Sequence, residues 1–122
     1  MFAETLEVAP QTSLGMLRQI RETRELVARV SPHIRDAGLT LEAFLALTAL
    51  REVSPQGLSM SELAKATGAT PPTLTRHIDN LATRSMVYRE IDARDRRSTL
   101  IHISKIGVGV IAGIEARPSL AL

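Results

Sequence analysis

The stretch that decides the fold is residues 58–81, which read LSMSELAKATGATPPTLTRHIDNL. Ser59 and Glu62 form a capping box, in which each side chain accepts a hydrogen bond from the other residue's amide at the start of a helix. Gly68 suits the left-handed conformation that ends a helix, and Thr70 with a proline directly behind it is a typical start for the next one. Two short helices separated by so tight a turn predict a helix-turn-helix.

The second of these helices has distinct inner and outer sides. Leu74, Ile78 and Leu81 recur at helical spacing and predict a buried stripe. The outer side carries residues of modest size, most of them polar, around a central arginine: Pro72, Thr73, Thr75, Arg76 and Asn80. Arginine, asparagine and hydroxyl side chains read base edges in the major groove of DNA. An ordinary amphipathic helix with a solvated polar side shows the same pattern, so the helix alone leaves both interpretations open.

A predicted β-hairpin follows the two helices and favours the DNA interpretation. Residues 86–91 and 98–103 are rich in β-branched and aromatic side chains, which is typical of strands. The loop between them reads DARDRR and puts Arg94, Arg96 and Arg97 at the hairpin tip, where they suit a narrow minor groove better than a merely solvated edge loop. The predicted fold is mainly α with a small β-hairpin, a winged helix-turn-helix, with Leu58 adding a short third strand.

Three segments of this module resemble the MarR family of bacterial transcription regulators: residues 58–64, 73–76 and 95–98. The resemblance covers roughly residues 12–107. It implies a homodimer, formed through the N- and C-terminal helices, on a pseudo-palindromic operator in double-stranded DNA. Members are most often repressors, so the implied function is that of a sequence-specific, ligand-responsive repressor.

The resemblance also implies which side chains touch DNA. The family's wing carries an Asp-x-Arg motif, which falls on Asp95 and Arg97; the arginine enters the minor groove and the aspartate holds it in place. The sequence departs from the family pattern at Pro72, where a small polar residue is more common, and at Ala93, where proline is common. With the two faces described above, the predicted DNA-binding residues are Pro72, Thr73, Thr75, Arg76, Asn80, Arg94, Asp95, Arg96 and Arg97.

Relatives often release DNA when a small aromatic acid or similar ligand fills a cleft between the dimer helices and the DNA-binding lobe. Here that cleft would be lined by the first helix, the helix that contains Phe44 and the last helix. No residue identifies the ligand, so a small-molecule effector is expected but its identity is not predicted. The alternative function is a winged helix used as a protein-interaction or dimerisation module without DNA binding, against which the basic hairpin tip argues.

Composition limits the class of protein. A chain of 122 residues is the length of one domain, without an apolar run that could span a bilayer and without a signal-peptide pattern, so we expect a cytoplasmic protein with no membrane contact. The absence of cysteine excludes a disulfide scaffold and a cysteine-based redox sensor. Residues 58–105 hold eight Lys/Arg against five Asp/Glu, so positive charge collects on the predicted DNA-binding module.

No catalytic, cofactor or metal site is predicted. His33, His77 and His102 lie far apart and have no carboxylates at ligand spacing, which argues against a metal site. The sequence has neither a glycine-rich phosphate loop nor a nucleophile with a nearby base, so we expect no enzyme activity and no cofactor.

The N-terminal part of the single domain expected at residues 1–122 is predicted to be helical. Residues 1–11 are interpreted as an arm, and residues 12–37 as a dimerisation helix region that begins at Ser13. Its apolar stripe consists of Leu14, Met16, Leu17, Ile20, Leu26, Val27 and Val30. At Ser31 and Pro32 this helix either kinks or ends, with Ser31 capping a new turn.

The two remaining parts are the DNA-binding winged helix at residues 40–103 and a shortened C-terminal helix at residues 104–122. The winged helix opens with a helix capped by Thr40 that runs to about Glu52, with Phe44, Leu47 and Leu50 inward. The last helix is capped by Ser104, with Ile106, Val110 and Ile114 as its stripe. Three glycines are expected to weaken it by about 1 kcal/mol each relative to alanine: Gly107, Gly109 and Gly113.

Overall fold

The structure, a computed structural model, describes residues 12–117, so the arm expected at residues 1–11 and the end of the chain after Arg117 lie outside the described residues. Within that range the chain forms five helices and one two-stranded antiparallel sheet. In chain order the elements are α1 Ser13–Asp36, α2 Leu41–Val53, α3 Met60–Thr67, α4 Pro71–Thr83, β1 Val87–Ile91, β2 Thr99–Ile103 and α5 Lys105–Glu115. None of the helices in residues 12–117 is both long and apolar enough to cross a membrane.

The chain divides into two units, Met1–Pro32 and His33–Leu122, and α1 contributes to both. This helix passes through Ser31 and Pro32 without ending, so the alternative in which Ser31 caps a new turn is wrong. The Ser31 hydroxyl instead donates a hydrogen bond of 2.6 Å to the carbonyl oxygen of Val27, one turn earlier in the same helix. Several apolar side chains of its N-terminal part are exposed: Leu14, Met16, Leu17, Ile20 and Leu26.

The helix-turn-helix forms from the local signals that predict it. Ser59 Oγ accepts a hydrogen bond from the Glu62 amide at 3.1 Å, and Glu62 Oε1 accepts one from the Ser59 amide at 2.9 Å, which completes the capping box. Gly68 ends α3 with φ of +77°, in the left-handed region that favours glycine. Thr70 precedes α4 as predicted, but its hydroxyl donates to Thr73 Oγ1 at 3.1 Å and does not cap the helix.

The core of the unit His33–Leu122 is built on the predicted stripe of α4. Leu74, Ile78 and Leu81 are all fully buried. Around them lie fully buried side chains from α1, α2, α3, β2 and α5: Ile34, Leu47, Leu50, Leu63, Ile101, Ile111 and Ile114. Because α4 has its apolar stripe in the core, its polar side necessarily faces outward.

The inward side of α2 differs from the prediction by part of a turn. Leu47 and Leu50 are buried as expected, but Phe44 is only half-buried. Two alanines complete the buried stripe, Ala43 and Ala46. Their small side chains let neighbouring elements approach α2 closely, and the larger phenylalanine ring is thereby left at the margin of the core.

The hairpin pairs β1 and β2 in antiparallel register, from Val87 opposite Ile103 to Ile91 opposite Thr99. Each strand begins one residue later than the sequence predicts. Leu58 forms a bridge to Ile101 through two backbone hydrogen bonds of 3.0 and 2.7 Å, so the predicted third strand is confirmed as a single bridge. The hairpin is thus attached to the segment that leads into α3.

The last helix, α5, begins as predicted but buries a different face. Ser104 Oγ accepts from the Gly107 amide at 3.1 Å and donates to the carbonyl oxygen of Ser85 at 2.6 Å. The buried residues of α5 are Gly107, Ile111 and Ile114, whereas Ile106 is 54% exposed and Val110 is half-buried. The predicted stripe is therefore wrong at Ile106 and Val110. The reason is a close approach at Gly107, which turns that residue toward the hairpin.

We expect Gly107→Ala and Gly109→Ala to change stability in opposite directions. A Cβ on Gly107 would lie 2.5 Å from the Met86 carbonyl oxygen and 2.8 Å from Ile103 Cγ1, so overpacking should lower the free energy of unfolding by about 1–3 kcal/mol. A Cβ on Gly109 would meet nothing within 4 Å, so alanine there should raise it by about 0.5–1 kcal/mol through helix propensity. Urea unfolding of both variants decides the matter, and a gain of stability in both would contradict the close approach.

Candidate nucleic-acid interface

The outward side of α4 is the first of two exposed surfaces in the unit His33–Leu122. Pro72, Arg76 and Asn80 are exposed, and Arg76 forms no ion pair with any described residue. Thr75 is also exposed, although its hydroxyl donates to the Pro71 carbonyl oxygen at 3.0 Å. Thr73 is half-buried and accepts from Thr70 at 3.1 Å. This side of α4 therefore offers one free guanidinium and one free amide among shorter polar groups.

The second surface is formed by residues 92–97, in the loop between β1 and β2, and we call these residues the wing tip. Asp95 Oδ1 accepts from the backbone amide of Arg97 at 3.2 Å and from its Nε at 3.4 Å. Asp95 Oδ2 accepts from Ser98 Oγ at 3.3 Å. The aspartate thus holds both the backbone amide and the Nε atom of Arg97, while 93% of the arginine side chain stays exposed.

The other two arginines of the wing tip are equally accessible. Arg94 is 86% exposed, with Nε 3.5 Å from Asp92 Oδ1. Asp92 also accepts from the Arg94 backbone amide at 2.9 Å, which fixes the first turn of the loop. Arg96 is exposed. Three arginines therefore project from a loop whose two aspartates act as local supports.

An ion pair that the sequence does not reveal joins α4 to the hairpin. Arg89 Nη2 on β1 lies 2.6 Å from Asp79 Oδ1 on α4, and both side chains are partly exposed. At the end of α4, Arg84 Nη1 donates to the Gly38 carbonyl oxygen at 2.6 Å. These contacts fix α4 relative to β1 and to the turn before α2. No hydrogen bond between described residues joins the exposed side chains of α4 directly to the wing tip.

The three histidines occupy unrelated places. His77 Nδ1 lies 3.2 Å from Thr40 Oγ1, and His33 Nδ1 lies 3.2 Å from Arg117 Nη1. His102 is buried on the hairpin, stacks on Tyr88 with ring centroids 5.1 Å apart, and has Nε2 2.9 Å from a carboxylate oxygen of Glu90. The expectation that no histidine has a carboxylate neighbour is therefore wrong for His102, although residues 12–117 contain no group of three side chains that could hold a metal.

A family model for the MarR family matches residues 37–98, just over half of the chain. The chain belongs to the MarR family. The matched residues begin directly after α1 and run through α2, α3, α4, β1 and the whole wing tip, so they include both exposed surfaces. MarR proteins are DNA-binding transcription regulators, and membership confirms the resemblance that residues 58–98 carry.

Solved structures of MarR-type regulators share the fold. The MepR–DNA complex of Staphylococcus aureus is 25% identical, with a TM-score of 0.67, and the match covers 83% of this chain and 80% of that one. A point mutant of the same MepR, bound to an oligodeoxyribonucleotide, is 25% identical, with a TM-score of 0.70 and coverage of 86% and 75%. BpsR of Bordetella bronchiseptica is 26% identical, with a TM-score of 0.69 and coverage of 88% and 74%. The predicted winged helix-turn-helix is thus confirmed.

Proposed function

We propose that the protein is a sequence-specific transcription regulator that binds a pseudo-palindromic operator in double-stranded DNA as a homodimer and represses transcription. The observation that carries the proposal is the exposure of Arg76 on α4 and of Arg97 on the wing tip within one MarR module. Arg76 is free to form two hydrogen bonds with a guanine edge in the major groove. Arg97, extended from its aspartate support, fits the minor groove. Two structures of one similar protein, MepR, with bound DNA support this mode of action, and one of the two is of a point mutant.

The other predicted contacts follow from the same arrangement. On α4 they are Pro72, Thr73, Thr75 and Asn80, and on the wing tip they are Arg94, Asp95 and Arg96. The exposed hydroxyl and amide groups of α4 serve base edges or phosphates, and the additional arginines serve the backbone. The alternative, a winged helix that binds only protein, gives no role to three exposed arginines on one loop.

A ligand response is the second part of the proposal. BpsR was solved in a study of how 6-hydroxynicotinic acid regulates its DNA binding, and MepR has been solved with ethidium bromide. We infer that the present protein also changes its DNA affinity when a small molecule binds. Such an effect requires that the ligand bind the DNA-competent and DNA-incompetent states with different affinities.

Substitution of the two arginines tests the proposal. Arg76→Ala should weaken binding to an operator selected from random duplexes by about 1–3 kcal/mol and leave binding to a scrambled duplex nearly unchanged, because it removes a base contact. Arg97→Ala should weaken both duplexes and lower the salt slope by about one unit per subunit, because it removes charge from the groove. Asp95→Ala should resemble a milder Arg97→Ala, since the aspartate only supports the arginine. Fluorescence anisotropy at two salt concentrations measures all three variants.

All three variants should have the melting temperature of the wild type, because the substituted side chains are exposed and are not part of the core. A loss of affinity for both duplexes in Arg76→Ala, combined with an unchanged scrambled duplex in Arg97→Ala, would reverse the groove assignments. Absence of any effect from all three substitutions would favour the protein-binding alternative.

The homodimer is proposed to form through the N- and C-terminal helices, which makes residues 12–37 a dimerisation region, residues 40–103 the DNA-binding winged helix and residues 104–122 a shortened C-terminal part. On α1, Leu14 is 61% exposed and Leu17 is 58% exposed, and on α5 Ile106 is 54% exposed. When a second subunit covers apolar side chains of this size, their removal from water stabilises the dimer. The wing tip, in contrast, is charged and stays available for DNA.

Sedimentation should therefore find a dimer at micromolar concentration. Leu17→Glu should shift it towards monomer and weaken operator binding, whereas Arg96→Glu, on the wing tip, should weaken binding without changing the mass. In the dimer, the two α4 helices should lie about 34–36 Å apart, one turn of the DNA helix. A wild-type monomer that binds the operator with full affinity would contradict the dimer.

A further inference from the structure

The outer side of α2 forms an apolar groove with the end of α3. The groove has a volume of about 410 Å³ and is lined by Leu45, Thr48, Ala49, Glu52, Val53 and Leu58, with the last turn of α3 closing one end. It exists because α2 is apolar on two sides. Ala43, Ala46, Leu47 and Leu50 fill the core, and the side chains on the opposite side are left half-buried or exposed. Its size and apolar walls are those of a small-molecule site.

The polar groups of the groove favour one sign of charge. The Thr48 hydroxyl donates to the Phe44 carbonyl oxygen at 2.8 Å, and the Thr67 hydroxyl donates to the Leu63 carbonyl oxygen at 2.9 Å. Both donors are therefore engaged within their own helices, and the hydroxyls can only accept from a ligand. Glu52 is the one charged residue among the described residues that line the groove. The groove thus offers hydrogen-bond acceptors and a negative charge beside an apolar wall.

The neighbouring arginine does not form an ion pair with Glu52. Arg51 donates two hydrogen bonds of 2.7 Å to the Glu115 carboxylate on α5, and these bonds hold the pKa of Glu115 below its usual value. Glu52 forms no hydrogen bond or ion pair with any described residue. The hydrogen bonds to Glu115 raise the pKa of Arg51 most, and the negative charge of Glu52 adds a smaller contribution. The Glu52 carboxylate therefore interacts with Arg51 only through its charge, and its oxygens remain open to a positively charged ligand.

We propose that this groove binds a lipophilic organic cation, with an apolar body against Leu45, Ala49 and Val53 and its charge near Glu52. The site differs from the cleft expected from the sequence, because it contains no residue of α1 or α5, the helices proposed to form the dimer. An aromatic acid is disfavoured because Glu52 would repel it. This proposal names a ligand class for the ligand response proposed above. A regulatory role for the groove rests on that response, whereas binding to the groove does not, because it is measured without DNA.

The position of the groove connects it to α4. Ala66 and Thr67 lie at its α3 end, immediately before the turn that leads into α4. Thr67 Oγ1 also accepts from the Ala69 amide at 3.3 Å, so it supports the backbone of that turn. A ligand in the groove would therefore contact the residues that hold α4 in place.

Tetraphenylphosphonium and tetraphenylborate test the proposal, because they share one shape and carry opposite charges. Calorimetry on the full chain without DNA should find one tetraphenylphosphonium ion per chain. Glu52→Gln should weaken the phosphonium by about two- to fivefold, the range for a partly exposed charge pair, and should strengthen the borate. Glu42→Gln, on the same helix but outside the groove, should change neither affinity. Ala49→Phe should fill the groove and abolish phosphonium binding while the melting temperature is retained.

The inference is overturned if the wild type does not bind the phosphonium, or if Glu52→Gln changes the affinities of both ions in the same direction. It is also overturned if Ala49→Phe, still folded, binds the phosphonium as well as the wild type does. Operator binding by a protein that fails these tests would leave the proposed function intact. Phosphonium binding that responds to Glu52 in a protein that binds no operator would support the groove and refute the regulator.

Discussion

Raising the salt concentration from about 50 mM to about 200 mM should weaken operator binding by roughly 10³–10⁵-fold, if the dimer neutralises on the order of 6–10 phosphates. The physical reason is counterion release, because each arginine or lysine that meets a phosphate frees a cation condensed on the DNA. The positively charged side chains are concentrated on the DNA-binding module. Residues 58–105 carry eight Lys/Arg against five Asp/Glu, and three of the arginines project from the wing tip.

The measurement is a series of anisotropy titrations with operator and scrambled duplex over that salt range. The scrambled duplex should show a steep slope of its own, because phosphate contacts carry no sequence information. Arg96→Ala should lower the slope for both duplexes, which assigns part of it to the wing tip. A flat response of the wild type would mean that phosphates are not the partner, and the protein-binding alternative would then be the better account.

The fold could be predicted best where its causes are local. The capping box of Ser59 and Glu62, the left-handed Gly68 and the stripe from Leu74 to Leu81 all act within a few residues along the chain. The structure reproduces each of them. The hairpin was predictable for the same reason, since two short runs rich in β-branched and aromatic residues on either side of a charged loop indicate its strands and its turn.

The prediction failed where the outcome depends on residues distant in sequence. Phe44 and Leu47 are both strongly apolar, so the sequence predicts that both are buried. The packing of other elements around α2 instead buries Ala43 and Ala46 and leaves Phe44 half-buried. Gly107 was expected simply to weaken α5, but the Met86 carbonyl oxygen lies where its Cβ would be. Propensity and periodicity describe one element at a time, and these two results arise between elements.

The candidate interface shows the same division. The exposure of Arg76 and of the wing-tip arginines could be predicted, because a buried stripe on one side of a helix leaves the other side in solvent. The ion pair between Asp79 and Arg89 could not be predicted, because its members lie ten positions apart in the sequence and belong to a helix and a strand. The groove at Glu52 was missed because its walls come from α2, Leu58 and α3, which no local pattern connects.

Leu74→Ala and Ile78→Ala should each lower the free energy of unfolding by about 2–5 kcal/mol, because both side chains are fully buried and alanine leaves a cavity. A small domain has only about 5–15 kcal/mol in total, so either change removes a large share of its stability. Urea unfolding followed by circular dichroism measures the loss. The apparent operator affinity should fall as well, because a smaller fraction of the protein is folded. The folded protein loses no contact with DNA, so the apparent affinity should recover when the temperature is lowered and more of the protein folds.

Asn80→Ala is the matched control on the same helix. Asn80 is exposed, so its removal should change the free energy of unfolding by no more than about 0.5 kcal/mol. It should nevertheless weaken operator binding if the outward side of α4 lies in the major groove, because an asparagine that reads adenine is lost. The two variants thus separate the inner side of α4 from its outer side. Equal melting temperatures for Leu74→Ala and the wild type would show that α4 is turned the other way, and the assignment of Arg76 to the DNA would fall with it.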